Sequence, residues 1–126
     1  MASINLDGFG HVEFEAVTGN KTLDAGDSGV VQNVKATCTV TLPAVAAGTS
    51  GVTYLIRVGD EDLTVTVSPN SADKIVGNGF TAADDKDLIF TTQPAGSYVV
   101  LTAVNEATTD SAWTVQRILG TATRQA

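Results

Sequence analysis

The sequence is poor in the side chains that carry nucleophilic and metal chemistry. It holds one histidine, His11, and one cysteine, Cys38. A Ser-His-Asp or Cys-His site would have to use His11, which sits beside the N-terminal segment and not near a loop that converges on Cys38 or a serine. Zinc takes about three or four Cys, His or carboxylate ligands, and one of each does not make a typical site. A lone cysteine excludes an internal disulfide and suits assembly in a reducing compartment. Cys38 is in phase with Val40 and Leu42 and reads as a small buried hydrophobe. Aromatic residues make up only 6% of a chain that is 43% hydrophobic. The core must therefore be built from Val, Leu, Ile and Ala, and the aromatic-lined cleft of a glycosidase is not supplied.

Basic residues are also few. Seven Lys and Arg stand against fourteen Asp and Glu, giving a formal net charge of −7. Such a surface repels phosphate, so neither nucleic acid nor an anionic membrane is expected as a partner. No stretch approaches the roughly 20 apolar residues of a membrane-spanning helix. Residues 1–8 have no basic region and no long apolar run, so they do not read as a signal peptide.

What the chain does have is period-two alternation. In residues 52–68, Val52, Tyr54, Ile56 and Val58 share one face and Thr53, Leu55, Arg57 and Gly59 the other. After Asp60, Glu61 and Asp62, Leu63, Val65 and Val67 alternate with Thr64, Thr66 and Ser68. This pattern predicts an antiparallel hairpin with one buried face. Residues 11–17 predict a strand with Val12, Phe14 and Ala16 on one face and an acidic outer face carrying Glu13 and Glu15. Residues 24–29 predict a compact turn, with one helical turn closed by Gly29. Further strands are expected over 29–35, 37–42, 74–77, 87–91, 97–104 and 111–119, with Asn78-Gly79 a strong turn pair. Residues 97–104 are apolar on both faces, as in an inner strand or one covered by a second subunit. No amphipathic helix is apparent. The chain therefore reads as all-β, a compact antiparallel β-sandwich or barrel of roughly eight to ten short strands. An N-terminal arm and first strand (1–20), a β-sandwich domain (21–120) and a loose tail (121–126) complete the expected organisation.

The acidic clusters are Asp24/Asp27, Asp60/Glu61/Asp62 and Asp84/Asp85/Asp87. Calcium takes about six to eight oxygens, and none of these clusters has the spacing of an EF-hand loop. Aspartate also populates exposed turns because it bonds its own backbone there. No metal or other cofactor is therefore expected. The glycines of Gly77-Asn78-Gly79 precede a loop and not a helix, so phosphate cradling has no support. Trp113 reads as the largest core side chain and not as a sugar platform.

Several phrases resemble a known family. Thr22-Leu23-Asp24-Ala25-Gly26-Asp27-Ser28-Gly29 is followed by a strand ending Leu42-Pro43, then Tyr54-Leu55-Ile56-Arg57-Val58-Gly59. Asp73-Lys74-Ile75-Val76-Gly77, Gly96-Ser97-Tyr98-Val99-Val100-Leu101 and Trp113 come later. In order and spacing, residues 21–120 resemble head-decoration (cement) proteins of tailed bacteriophages and related modules of phage tail fibres and knobs. The resemblance implies a non-enzymatic homotrimer, made in the host bacterial cytoplasm. It would sit on the outer face of an icosahedral capsid, bind the major capsid protein and hold the shell against packaged DNA. On that reading Ile4, Leu6 and Phe9 belong to a capsid-binding arm that pairs with a sheet edge of the shell. Tyr98, Val99 and Leu101 belong to a trimer interface or inner sheet. A tail-fibre or receptor-binding module is the alternative, weakened by the lack of a long fibrous section.

Overall fold

The computed structural model describes residues 12–46, 49–80, 82–105 and 111–125. Eleven strands follow one another: β1 (Phe14–Val17), β2 (Lys21–Thr22), β3 (Val31–Val34), β4 (Cys38–Thr41), β5 (Thr53–Val58), β6 (Thr64–Ser68), β7 (Lys74–Val76), β8 (Leu88–Thr91), β9 (Tyr98–Asn105), β10 (Ser111–Leu119) and β11 (Thr123–Arg124). A 3₁₀ turn spans Ala25–Asp27. Its N-cap is Asp24, whose carboxylate accepts from Gly26 N while Asp27 accepts from Asp24 N, so each end of the turn satisfies the other.

The strands form two mixed sheets. One has six strands in the order β1-β3-β5-β9-β10-β7, the other five in the order β11-β8-β6-β4-β2. Through the first six strands the chain alternates strictly between the sheets. β1, β3 and β5 stack in parallel on one side, and β2, β4 and β6 stack in parallel on the other. β8 and β9 then add antiparallel, to β6 and β5 respectively. Neither sheet closes on itself, so the barrel alternative is excluded, and the sheets are mixed where antiparallel ones were expected.

The hairpin expected over residues 52–68 does not form. β5 pairs with β3 and β9 in one sheet, while β6 pairs with β4 and β8 in the other. The connection carrying Asp60, Glu61 and Asp62 is an arch between sheets. Gly59 makes it possible: its N–H donates to Val34 O at 2.7 Å. A Cβ at Gly59 would lie 2.6 Å from that same oxygen, so any larger residue would push the arch off β3.

The expected inward faces hold in β5 and β6 and fail in β1. Tyr54, Ile56 and Val58 face the core, as do Val65 and Val67. In β1, register with β3 sets Val17 beside Val34 in the core and Phe14 on the outward side, 60% exposed. One apolar cluster is shared by both sheets and is centred on Trp113, Tyr54, Phe90, Ile56, Val40 and Leu101. The Tyr54 and Trp113 rings lie 5.3 Å apart. The end of the chain, expected as a tail, instead adds β11 to the edge of the five-stranded sheet, with Ala122 packed on the core.

Candidate functional site

Two surfaces carry features beyond simple packing. The first lies on the outward face of the six-stranded sheet. Register aligns Phe14, Val31, Leu55, Val100 and Arg117 in one row across five strands. Ala16, Asn33, Arg57, Tyr98 and Leu119 form the next row. Val31, Leu55 and Val100 make an apolar cluster separate from the main core, with Val12 and Tyr98 packed against it. Phe14 and Leu119, 60% and 54% exposed, are the large hydrophobic side chains that this protein leaves in water among the described residues. Arg57 is held by Asn33 Oδ1 at 2.7 Å, and Arg117 is exposed.

The second is a polar seam where the first two strands pass between the sheets. Lys21 Nζ donates to Glu15, to Asp27 at 3.4 Å and to the buried Gln32 at 2.8 Å. Burial works to lower the Lys21 pKa, but hydrogen bonds and charge from Glu15 and Asp27 outweigh it and hold the ammonium above its ordinary range. Tyr54 donates to Asp24 O at 2.6 Å. Burial, and then the negative charges of Asp27 and Asp24, push its phenol far above the ordinary value. Lys21 and Tyr54 are thus each held in the charge state they already have at neutral pH, the opposite of a group tuned to exchange protons. A shallow concavity beside it is lined by Ala16, Val17, Thr18, Gly19, Asn20 and Lys21. The seam is built to join β1, β2 and β3.

The remaining candidates disperse. Val99 and Leu101 are fully buried in the shared core, whereas Tyr98 is half-buried on the outward face. β9 is an inner strand hydrogen-bonded to β5 and β10 on its two edges, with Val99 and Leu101 in the shared core and Val100 in the outward cluster. Ile4, Leu6, Phe9 and His11 lie outside the described residues. Cys38 is buried, and desolvation pushes its thiol pKa up, away from reactivity. Trp113 is fully buried, with its Nε1 unpartnered. No group of three or more His, Cys, Asp or Glu among the described residues is placed to hold a metal ion. Asp60 pairs with Lys35, and Asp84 with Lys74. No helix among the described residues is long and apolar enough to cross a membrane.

The sequence pattern missed the outward row. Leu55 was placed on the correct face, but its alignment with Val31 and Val100 depends on pairings that alternation alone does not reveal. Comparison with family models, with curated proteins and with solved structures finds no match.

Proposed function

We propose that this protein is a virion structural protein, a trimeric decoration (cement) protein that binds the outer face of an icosahedral phage head. The observation that carries the reading is the outward face of the six-stranded sheet. Phe14 and Leu119, left exposed on the same face as a buried apolar cluster, are side chains with something to gain from a partner. The resemblance over residues 21–120 supplies the kind of partner: copies of the same chain and the major capsid protein. On this reading the two sheets pack face to face as a β-sandwich, and the arm bearing Ile4, Leu6 and Phe9 grips the shell. Binding only the expanded shell stabilises it by mass action, and three arms on one trimer raise the effective concentration of each weak contact.

Light scattering should give three times the 12.9 kDa chain mass. Co-sedimentation with emptied phage heads should retain the protein, and Leu6→Asp in the full chain should release it while leaving the mass unchanged. A monomer that ignores heads would end the proposal. A second reading, a module of a tail fibre, draws support from the parallel stacking of β1 to β6. That sheet-to-sheet winding is the way solenoid fibres are built, with an open edge at which further turns could add. Adsorption of the protein to host cells without any binding to heads would favour it.

A further inference from the structure

Among the described strands, both sheets begin and end with strands of the same direction. β10 runs antiparallel to β9, β9 antiparallel to β5, and β5 parallel to β3 and β1, so β10 points the same way as β1. The same count through β8, β6 and β4 sets β11 parallel to β2. Register adds a match in level. Phe14 stands level with Arg117, and Ala16 with Leu119, across the six-stranded sheet. Lys21 stands level with Arg124 across the five-stranded one. β7 pairs with β10 only at Ala112–Thr114, and among the described residues no strand pairs with the outer edge of residues 117–119. The free half of β10 is thus the half that lies level with β1.

The two ends also differ in charge. Residues 111–126 contain Arg117 and Arg124 and no acidic residue, in a chain of net charge −7. Arg124 is the register partner of the core residue Leu88, so it projects between the sheets. Its Nη1 is buried, with no hydrogen-bond partner among the described residues. At the opposite end Glu15 and Asp27 share the single ammonium of Lys21, which leaves that seam one negative charge in surplus. Exposed Phe14 and exposed Leu119 sit one at each end, on the same outward face.

We propose that these two ends bind each other between copies of the chain. The edge of Arg117, Leu119 and Arg124 on one subunit takes the edge of Phe14, Glu15 and Lys21 on the next. Both sheets continue across the contact as parallel ladders. Phe14 packs against Leu119 and the stem of Arg117. Arg124 brings a second cation to the two carboxylates of the seam. A two-fold contact between like ends would set arginine on arginine or carboxylate on carboxylate, so charge selects the head-to-tail arrangement. Such a contact closes into a ring when its rotation divides the circle. A ring of three is the trimer of the proposed function, and only that number rests on it.

The test is disulfide capture of the contact in the full chain. Within one subunit Ala16 and Leu119 are four strand spacings apart, roughly 19 Å. A disulfide allows at most about 7 Å between Cα atoms. Across the contact the same two positions are neighbours about 5 Å apart. Ala16→Cys/Leu119→Cys should therefore link copies under mild oxidation, seen as bands of two and three chains on a non-reducing denaturing gel. Each single variant should stay unlinked, because no contact joins like ends, and buried Cys38 leaves the wild type as the blank. Arg117→Glu and Arg124→Glu should each weaken association at least tenfold by light scattering, with Trp113 emission still that of the folded protein. A double variant that stays unlinked, or single variants that link as readily, would overturn the proposal. A trimeric mass without links refutes this contact and leaves the decoration reading standing. Linked copies that ignore phage heads do the reverse.

Discussion

The outward face of the five-stranded sheet is lined with hydroxyls. Thr39, Thr66 and Thr123 stand in one row, interrupted by Ile89, and Thr22, Thr41 and Ser68 in the next. The outward face of the six-stranded sheet has Phe14, Val31, Leu55 and Val100 at the corresponding kind of position. Both sheets send Val, Ile, Leu and aromatic side chains inward to the same core. The difference is therefore one of exterior alone. Threonine turns a methyl to its cross-strand neighbours and a hydroxyl to water, so such a face is complete by itself. A row of aliphatic side chains is complete only when something lies on it.

The largest effect should come from contrasting neighbours on β9. Leu101→Asp places a charge in the shared core and should abolish the cooperative fold. The cost of an unpaired buried charge exceeds the roughly 5–15 kcal/mol that holds a domain together. Val100→Asp, one residue away on the outer face, should leave the far-ultraviolet dichroism of a folded β protein. Equal collapse of both would erase the distinction between the two faces. Gly59→Ala tests the passage between sheets: with a Cβ 2.6 Å from Val34 O, it should cost about 1–3 kcal/mol in urea unfolding. Exchanging the chemistry of the exteriors gives a finer test. Leu55→Thr should cost about 1–2 kcal/mol, whereas Thr66→Val should stay within about 0.5 kcal/mol. A Thr66→Val loss as large as that of Leu55→Thr would mean that the hydroxyl face is also covered.

The smallest effect concerns the seam at Lys21. Its pKa is raised in the folded state, so its contribution is fully present at neutral pH and below the ordinary value of 10.5. That contribution is lost as pH rises through the folded value above it. Lys21→Met should make the alkaline slope of a stability profile shallower, leaving the part that comes from the raised Tyr54 phenol. The slope should also shrink in high salt, because the Glu15 side of the network is open to solvent.

Alternation let the sequence reveal where strands run and which side chains of β5, β6 and β9 turn inward, because burial of one face imposes a period of two. It did not reveal partners. The turn with Asp60, Glu61 and Asp62 has a length that serves a hairpin or an arch equally well, and Asp62 adopts the left-handed backbone conformation that tight turns of either kind use. What decides between them is the approach of Gly59 to Val34, a contact between residues far apart in the chain. Parallel strands also normally announce themselves through helical crossovers. Among β1 to β6 each crossover is a strand of the opposite sheet, so that signal is missing. β1 misled because only Val17 of its four residues is buried. β11 is two residues long and carries no period at all. The outward row could be anticipated from Leu55 and Val100, each an aliphatic residue between inward-facing neighbours, but only the register shows that they meet.

Among the described strands, β9 and β10 are the one pair that is both consecutive in the chain and hydrogen-bonded together. Every other ladder waits for a strand at least two places further on. A ribosome releasing this polypeptide from its N-terminus would expose β1 to β6 long before β8 and β9 arrive to complete their sheets. Emergence of the last third is then the moment at which the molecule acquires its shape. Chains halted before residue 98 should stay open to proteases, and maturation should be slow for a protein of this size because distant segments must find one another first.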